Sequence, residues 1–150
     1  MDPTASLLNQ YSSIEKFLWD GVASVHNELL VNSDDSATRY TEVSAAGHAV
    51  IWHTSTGSAA NTGELSLFVG ATYKQDPGNV QLLTLLDKVK ALLDTSAEIA
   101  VYDYVGGVPT VKVNSLVPVR GVNVWPLVIE KDGFKTKMLS VKLKFAQKRS

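Results

Sequence analysis

Apolar residues recur every three or four positions early in the chain, at Leu7, Leu8, Tyr11, Ile14, Leu18, Val22, Val25 and Leu29. That spacing puts them on one helical stripe and predicts a long first helix within Thr4 to Val31. Asp2-Pro3-Thr4 supplies capping residue types around a proline suited to a first turn. The run Asn32-Ser33-Asp34-Asp35-Ser36 should end the helix, because these side chains compete for backbone hydrogen bonds and favour turns. From Arg39 the period changes. Tyr40 to Ser44 and Ala49 to His53 read as a hairpin around Ala45-Ala46-Gly47, with Val50 and Trp52 on one face. Thr54 to Gly63 holds only small, hydroxyl and amide side chains, too little apolar surface to pack, and reads as an exposed, mobile loop.

Alternation returns in Glu64 to Lys74, where Leu65, Leu67, Val69 and Ala71 share one face and Phe68 lies on the other. Gln75-Asp76-Pro77-Gly78-Asn79 then makes a turn and a helix start. The second helix carries a broad stripe of Leu82, Leu83, Leu85, Leu86, Val89, Leu92 and Leu93, as expected of a helix laid on a sheet. The remainder is strand: Ile99 to Val105, Thr110 to Val117, Val119 to Lys131 and Phe134 to Ala146. Asp132-Gly133 between two of these runs is a strong hairpin signal.

The last strand has apolar residues at odd positions in its second half, but Lys135 and Lys137 stand at odd positions in its first half. Such a switch predicts a bulge, or an arm covered on different faces along its length. At the usual rise its residues would span about 43 Å, enough for an arm that reaches a neighbour. The pattern as a whole predicts one α+β domain: a mixed or antiparallel sheet, two helices on one face and a long C-terminal hairpin.

Charge sharpens this picture. Pro109 to Ser150 carry nine Lys and Arg against two acids, whereas the first 108 residues carry five against thirteen, so the net charge of −1 conceals two opposed halves. Complementary patches of this kind steer association and set register, which suits a subunit that docks its basic end on an acidic neighbour. The basic residues Lys135, Lys137, Lys142, Lys144, Lys148 and Arg149, with Trp125, are the candidate interface residues. Nucleic-acid phosphates, a DNA-facing lumen or plain solvation are the other uses of such a segment. Trp52 and Trp125 read as core or interface anchors, and Pro126 after Trp125 argues for an edge or bulged strand.

No catalytic motif emerges. His48 and His53 lack zinc-site spacing, and Asp34, Asp35 and Asp76 sit where carboxylates terminate or cap helices. The glycines form neither a dinucleotide fingerprint nor a phosphate loop, and no nucleophile elbow occurs. The expectation is a non-enzyme without cofactor or metal. With no cysteine there is no disulfide framework, no apolar run approaches the length of a membrane span, and Met1 to Gln10 lacks the character of a signal peptide.

The order of elements carries a resemblance. A long N-terminal helix, a hairpin, the strand-turn-helix VGATYKQDPGNVQLLTLLDKVKALLD, and a β-rich C-terminal part with VNVWPLVIEKDGFKTKMLSVKLKF resemble the tail-terminator and neck proteins of tailed bacteriophages, over roughly Ile14 to Phe145. The resemblance implies a structural virion protein that forms a ring, usually a hexamer. Such a ring caps the tail tube and joins it to the head connector, with DNA passing near its lumen, after assembly in the host cytoplasm. Another neck, head-completion or tail component, or a nucleic-acid-binding module using the basic hairpin, is the alternative.

Overall fold

A computed structural model describes residues 6–26, 28–32, 49–57, 64–74, 76–95, 98–126 and 128–146. The first helix, α1 (Leu7–Leu18), starts at Ser6, whose Oγ accepts from Asn9 N at 3.2 Å. It runs on through a π-helical turn, Trp19–Ala23, to a short end at Ser24–His26. The helix is therefore shorter than the apolar spacing predicts, because Leu30–Asn32 form strand β1 instead.

Strand β2 (Val50–Gly57) lies parallel to β1 and antiparallel to β3 (Leu65–Lys74). Thr54 to Gly57 are thus strand rather than loop: each pairs with a residue of β3, from Thr54 with Phe68 to Gly57 with Leu65. The rest of the expected loop, 58–63, and the first arm of the expected hairpin, Tyr40 to Ser44, lie outside the described residues.

After β3 comes the second helix, α2 (Val80–Thr95), entered through a 3-10 turn at Pro77–Asn79. Strands β4 (Ile99–Val105) and β5 (Val108–Pro118) form a hairpin around Gly106 and Gly107, both at positive φ as a tight hairpin turn requires. The expected strand Val119 to Lys131 is broken around Trp125-Pro126 into β6 (Asn123–Val124) and β7 (Ile129–Lys131). The chain then turns at Asp132-Gly133, also both at positive φ, into β8 (Phe134–Phe145).

These strands make one eight-stranded sheet in the order β1-β2-β3-β8-β5-β4, with β6 and β7 also paired to β8. Apart from β1 with β2, every pairing is antiparallel. The expected arm is the centre of the molecule. Strand β8 pairs without a bulge along all of β3, from Lys74 with Phe134 to Leu65 with Leu143. On its other side it meets β7, β6 and β5 in turn.

Both helices cover the same face. Ile14 and Leu18 of α1, Val22 of the π-helical turn and Leu82, Leu85, Leu86, Val89 and Leu93 of α2 join Ile51, Leu67, Val69, Val101, Leu116, Leu139 and Leu143 in one core. The helices meet where Gly21 faces the side chain of Leu92. On the opposite sheet face Trp52 is buried and lies across its pairing partner Gly70, which settles it as a core residue.

The α1 stripe differs from its sequence reading. Leu7, Leu8 and Val25 are 63–66% exposed, whereas Asn9, Gln10 and Ser13 are buried. The reason is β4, the last strand on its side of the sheet, whose outward N–H groups need acceptors. Asn9 Oδ1 accepts from Tyr104 N and Ser13 Oγ from Tyr102 N, each at 2.9 Å. The helix thus closes a sheet edge with polar side chains, one way proteins keep an edge strand from pairing with another chain.

Candidate subunit interface

The basic residues of β8 do not form one patch. Successive residues of a strand point to opposite faces, so Lys135 and Lys137 share the helix side with Leu139, Val141 and Leu143, while Lys142 and Lys144 lie on the other face. Lys137 is buried. Lys135 Nζ donates to the Asp76 carbonyl at 3.2 Å and approaches Asn79 Oδ1 at 3.5 Å, tying β8 to the start of α2. Lys142 and Lys144 are exposed, with Lys142 Nζ 3.9 Å from Glu64 of the same chain. Lys148 and Arg149 lie outside the described residues.

Trp125 sits at a sheet edge. Its N–H donates to the Met138 carbonyl at 3.0 Å, its Nε1 to Ser140 Oγ at 3.2 Å, and its ring meets the edge of Phe68 at 6.0 Å. It is still 38% exposed, next to Val124 at 42% and Ile129 at 50%. An apolar strip therefore runs along β6 and β7.

A second apolar surface went unread in the sequence. Beyond Asn114 the β4–β5 hairpin continues as a two-stranded ribbon among the described residues, since β8 pairs with β5 at Leu116–Pro118 and Ala146 N donates to the Ser115 carbonyl. Tyr104 to Val111 contain no charge, and Val105, Val108 and Val111 are 58–62% exposed. The Gly-Gly turn flanked by valines was a legible hairpin signal. What sequence could not give is that, among the described residues, these valines stay exposed. Between the turn end of the hairpin, at Tyr104, Gly107 and Pro109, and the first helix, at Leu8, Glu15 and Trp19, lies an open groove of about 610 Å³.

Beneath the groove, His53 is buried, with its ring 4.9 Å from Tyr11 and its Nε2 3.5 Å from Glu15 Oε1. The hydrogen bond to His53 holds the Glu15 carboxyl below its ordinary value, against an opposing push from burial. A carboxyl depressed in the folded state stabilises the fold above its unfolded pKa, and that contribution is lost as pH falls through the folded value. Glu15 is 42% exposed, which limits the effect to about 1 kcal/mol or less. Urea titrations at about pH 7 and at successive points below 4.5 should therefore show a smaller acid-side loss for Glu15→Gln than for the parent. Desolvation raises the Tyr104 hydroxyl, which donates to the Ser12 carbonyl at 3.2 Å.

The α1–β4 clasp offers a further check. Asn9→Ala removes the acceptor for Tyr104 N and the donor to Asp103 Oδ1, at 2.9 and 3.1 Å. It should cost about 1 kcal/mol in denaturant melts, because a partly buried N–H is left without its acceptor.

The remaining chemical candidates are structural in placement. Asp76 is buried, and its two oxygens accept from Gln81 N and Leu82 N at 3.0 and 2.9 Å, capping α2. Asp87 is exposed on α2 and His26 at the end of the first helix. Asp34, Asp35 and His48 lie outside the described residues. Among the described residues no three His, Asp or Glu side chains gather as metal ligands, and no helix is long and apolar enough to cross a membrane.

The chain matches no protein-family profile and no curated protein sequence. Seven solved chains match it in structure. One of them superposes with a TM-score of 0.60 at 10% identity, over 97% of this chain and 99% of its own. At that identity the likeness shows the fold alone.

Proposed function

We propose that this chain is a structural virion protein of a tailed phage, a subunit of a ring, six-membered as in the family it resembles, that closes the tail tube and joins it to the head connector. It works without a cofactor and without catalysis. Its partners are further copies of itself, the tail-tube protein and the connector, with DNA in the lumen; it is assembled in the host cytoplasm and ends in the tail or neck of the particle. The observation that carries this reading is the β4–β5 hairpin. An uncharged run with three exposed valines at the turn end of this hairpin is a surface that a permanently solitary molecule has no use for and that a neighbour would bury. The order of elements adds weight: a long first helix, a sheet and a second helix on the same face follow each other as in the resembled family.

Light scattering at micromolar concentration, alone and with the tail-tube protein of the same phage, tests the reading. The expected result is a discrete cyclic species, or co-assembly with the tube. A monomer in both samples overturns it.

A further inference from the structure

We propose that the sheet face turned away from the helices is a track for the phosphate backbone of DNA, an inference that rests on the ring reading above and names the surface its lumenal DNA would meet. Residues paired across strands share a face, and faces alternate along each strand. The register of β8 with its neighbours therefore puts Lys74, Lys131, Lys142 and Lys144 together on the open face. All four are exposed. Strands β2, β3, β6, β7 and β8 contain one acid, Glu130, and it pairs with Lys135 on the helix side. The acids at the margins of the open face are Glu64, ahead of β3 and 3.9 Å from Lys142, and Asp132 in the turn after β7.

On the helix side the charges are neutralised within the chain. Lys16, Lys88, Lys90 and Lys135 each pair with a carboxylate. Lys74, Lys131 and Lys144 take part in no ion pair among the described residues. Among the described lysines, the exposed ones without a carboxylate thus all stand on the open face.

The company these lysines keep favours nucleic acid over protein. Thr56 and Ser66 lie in the row of Lys142, and Ser140 lies beside Asn123 in the next row. Hydroxyl and amide side chains of this kind, with Lys, are the usual partners of phosphate oxygens. Protein interfaces are depleted in Lys, whereas surfaces that bind DNA are polar and strongly basic. Lys74 and Lys131 flank Phe134 at one end of β8, and Lys144 lies beside Val117 at the other. The ends are about 33 Å apart at the usual strand rise, so an extended polyanion meets the lysines in series and a compact anion reaches only one end. Such contacts carry no sequence information, as suits DNA of any sequence passing through a ring.

Fluorescence anisotropy of a short labelled duplex of arbitrary sequence, titrated with the full chain from about 50 to 200 mM salt, tests this. Binding should weaken with salt at a logarithmic slope of roughly −3.6, the value for four phosphate contacts. Lys131→Gln with Lys144→Gln should roughly halve that slope and weaken binding about tenfold at the lowest salt. Lys16→Gln with Lys90→Gln makes the same change of net charge on the helix side and should alter neither. Circular dichroism should be unchanged in both double variants. Equal losses in the two would mean a response to net charge alone, and overturn the proposal. So would loss of co-assembly with the tail-tube protein in Lys131→Gln with Lys144→Gln while duplex binding is unchanged, since the lysines would then meet an acidic protein. No duplex binding at about 50 mM salt, while light scattering shows the oligomer, overturns the track and leaves the ring reading standing. Duplex binding lost as expected in a protein that stays monomeric alone and with the tube upholds the track and removes the ring reading.

Discussion

Gly70→Val is expected to cost about 3 kcal/mol, the largest loss of any single change considered for this chain. Gly70 pairs with Trp52 on one side and Met138 on the other, in the middle of β3. The indole of Trp52 lies over the space a side chain would fill, so that a Cβ built at Gly70 falls among its ring atoms. Trp52 is only 3% exposed and cannot swing outward without opening the sheet face it covers. Backbone conformation is not the obstacle, since an ordinary strand accepts any residue there; the obstacle is volume. Urea unfolding should show a lower midpoint with the slope unchanged. The double variant Trp52→Leu with Gly70→Val should be more stable than the sum of its single changes predicts, because the smaller side chain vacates the contested space. If Gly70→Val is neutral, the indole does not lie on Gly70.

Asp76→Ala is expected to cost about 2 kcal/mol. The Asp76 carboxylate is buried and accepts from two successive N–H groups of α2, those of Gln81 and Leu82. Its negative charge also sits at the positive end of the helix dipole. Alanine removes both acceptors and leaves Leu82 N, a buried donor, without a partner. Asp76→Asn keeps one acceptor and loses the charge, so it should cost about half as much. Hydrogen exchange provides the local reading: the amides of Gln81 and Leu82 should exchange faster in Asp76→Ala, while those in the core of β8 follow only the global change. An unchanged exchange rate at both amides would show that the carboxylate does not cap the helix.

Much of the architecture was legible in the sequence for physical reasons that are local. Alternation in Leu65, Leu67, Val69 and Ala71 is a property of one strand, and all four are buried. The Asp132-Gly133 turn and the Asp76 cap are also local chemistry, the first a matter of positive φ and the second of two nearby N–H groups. Apolar spacing located both helices, and on the first it found the core residues Ile14, Leu18 and Val22 but also took in Leu7, Leu8 and Val25, which are exposed. Polar residues four apart, Asn9 and Ser13, were a signal in themselves, since neither favours a helix interior without a partner for its side chain. The partner is an edge strand, reached at positions 89 and 95 residues further along the chain, and no window of sequence contains it.

The candidate interface shows the same division. Composition determined that the acidic and basic halves differ, that Pro126 marks an edge or bulged strand, and that Tyr104 to Val111 lack charge. Tertiary structure decided what those facts mean. Lysines adjacent in the C-terminal strand are separated because β8 is the centre of the sheet, where register assigns Lys135 and Lys137 to the helix side and Lys142 and Lys144 to the other. The final strand is no projecting arm, because β8 pairs along all of β3 on one side and with β7, β6 and β5 on the other. Periodicity is set by the backbone of each element and can be read from it. Which strand lies beside which, and how far, is set by burial of the whole core, and only the folded chain decides it.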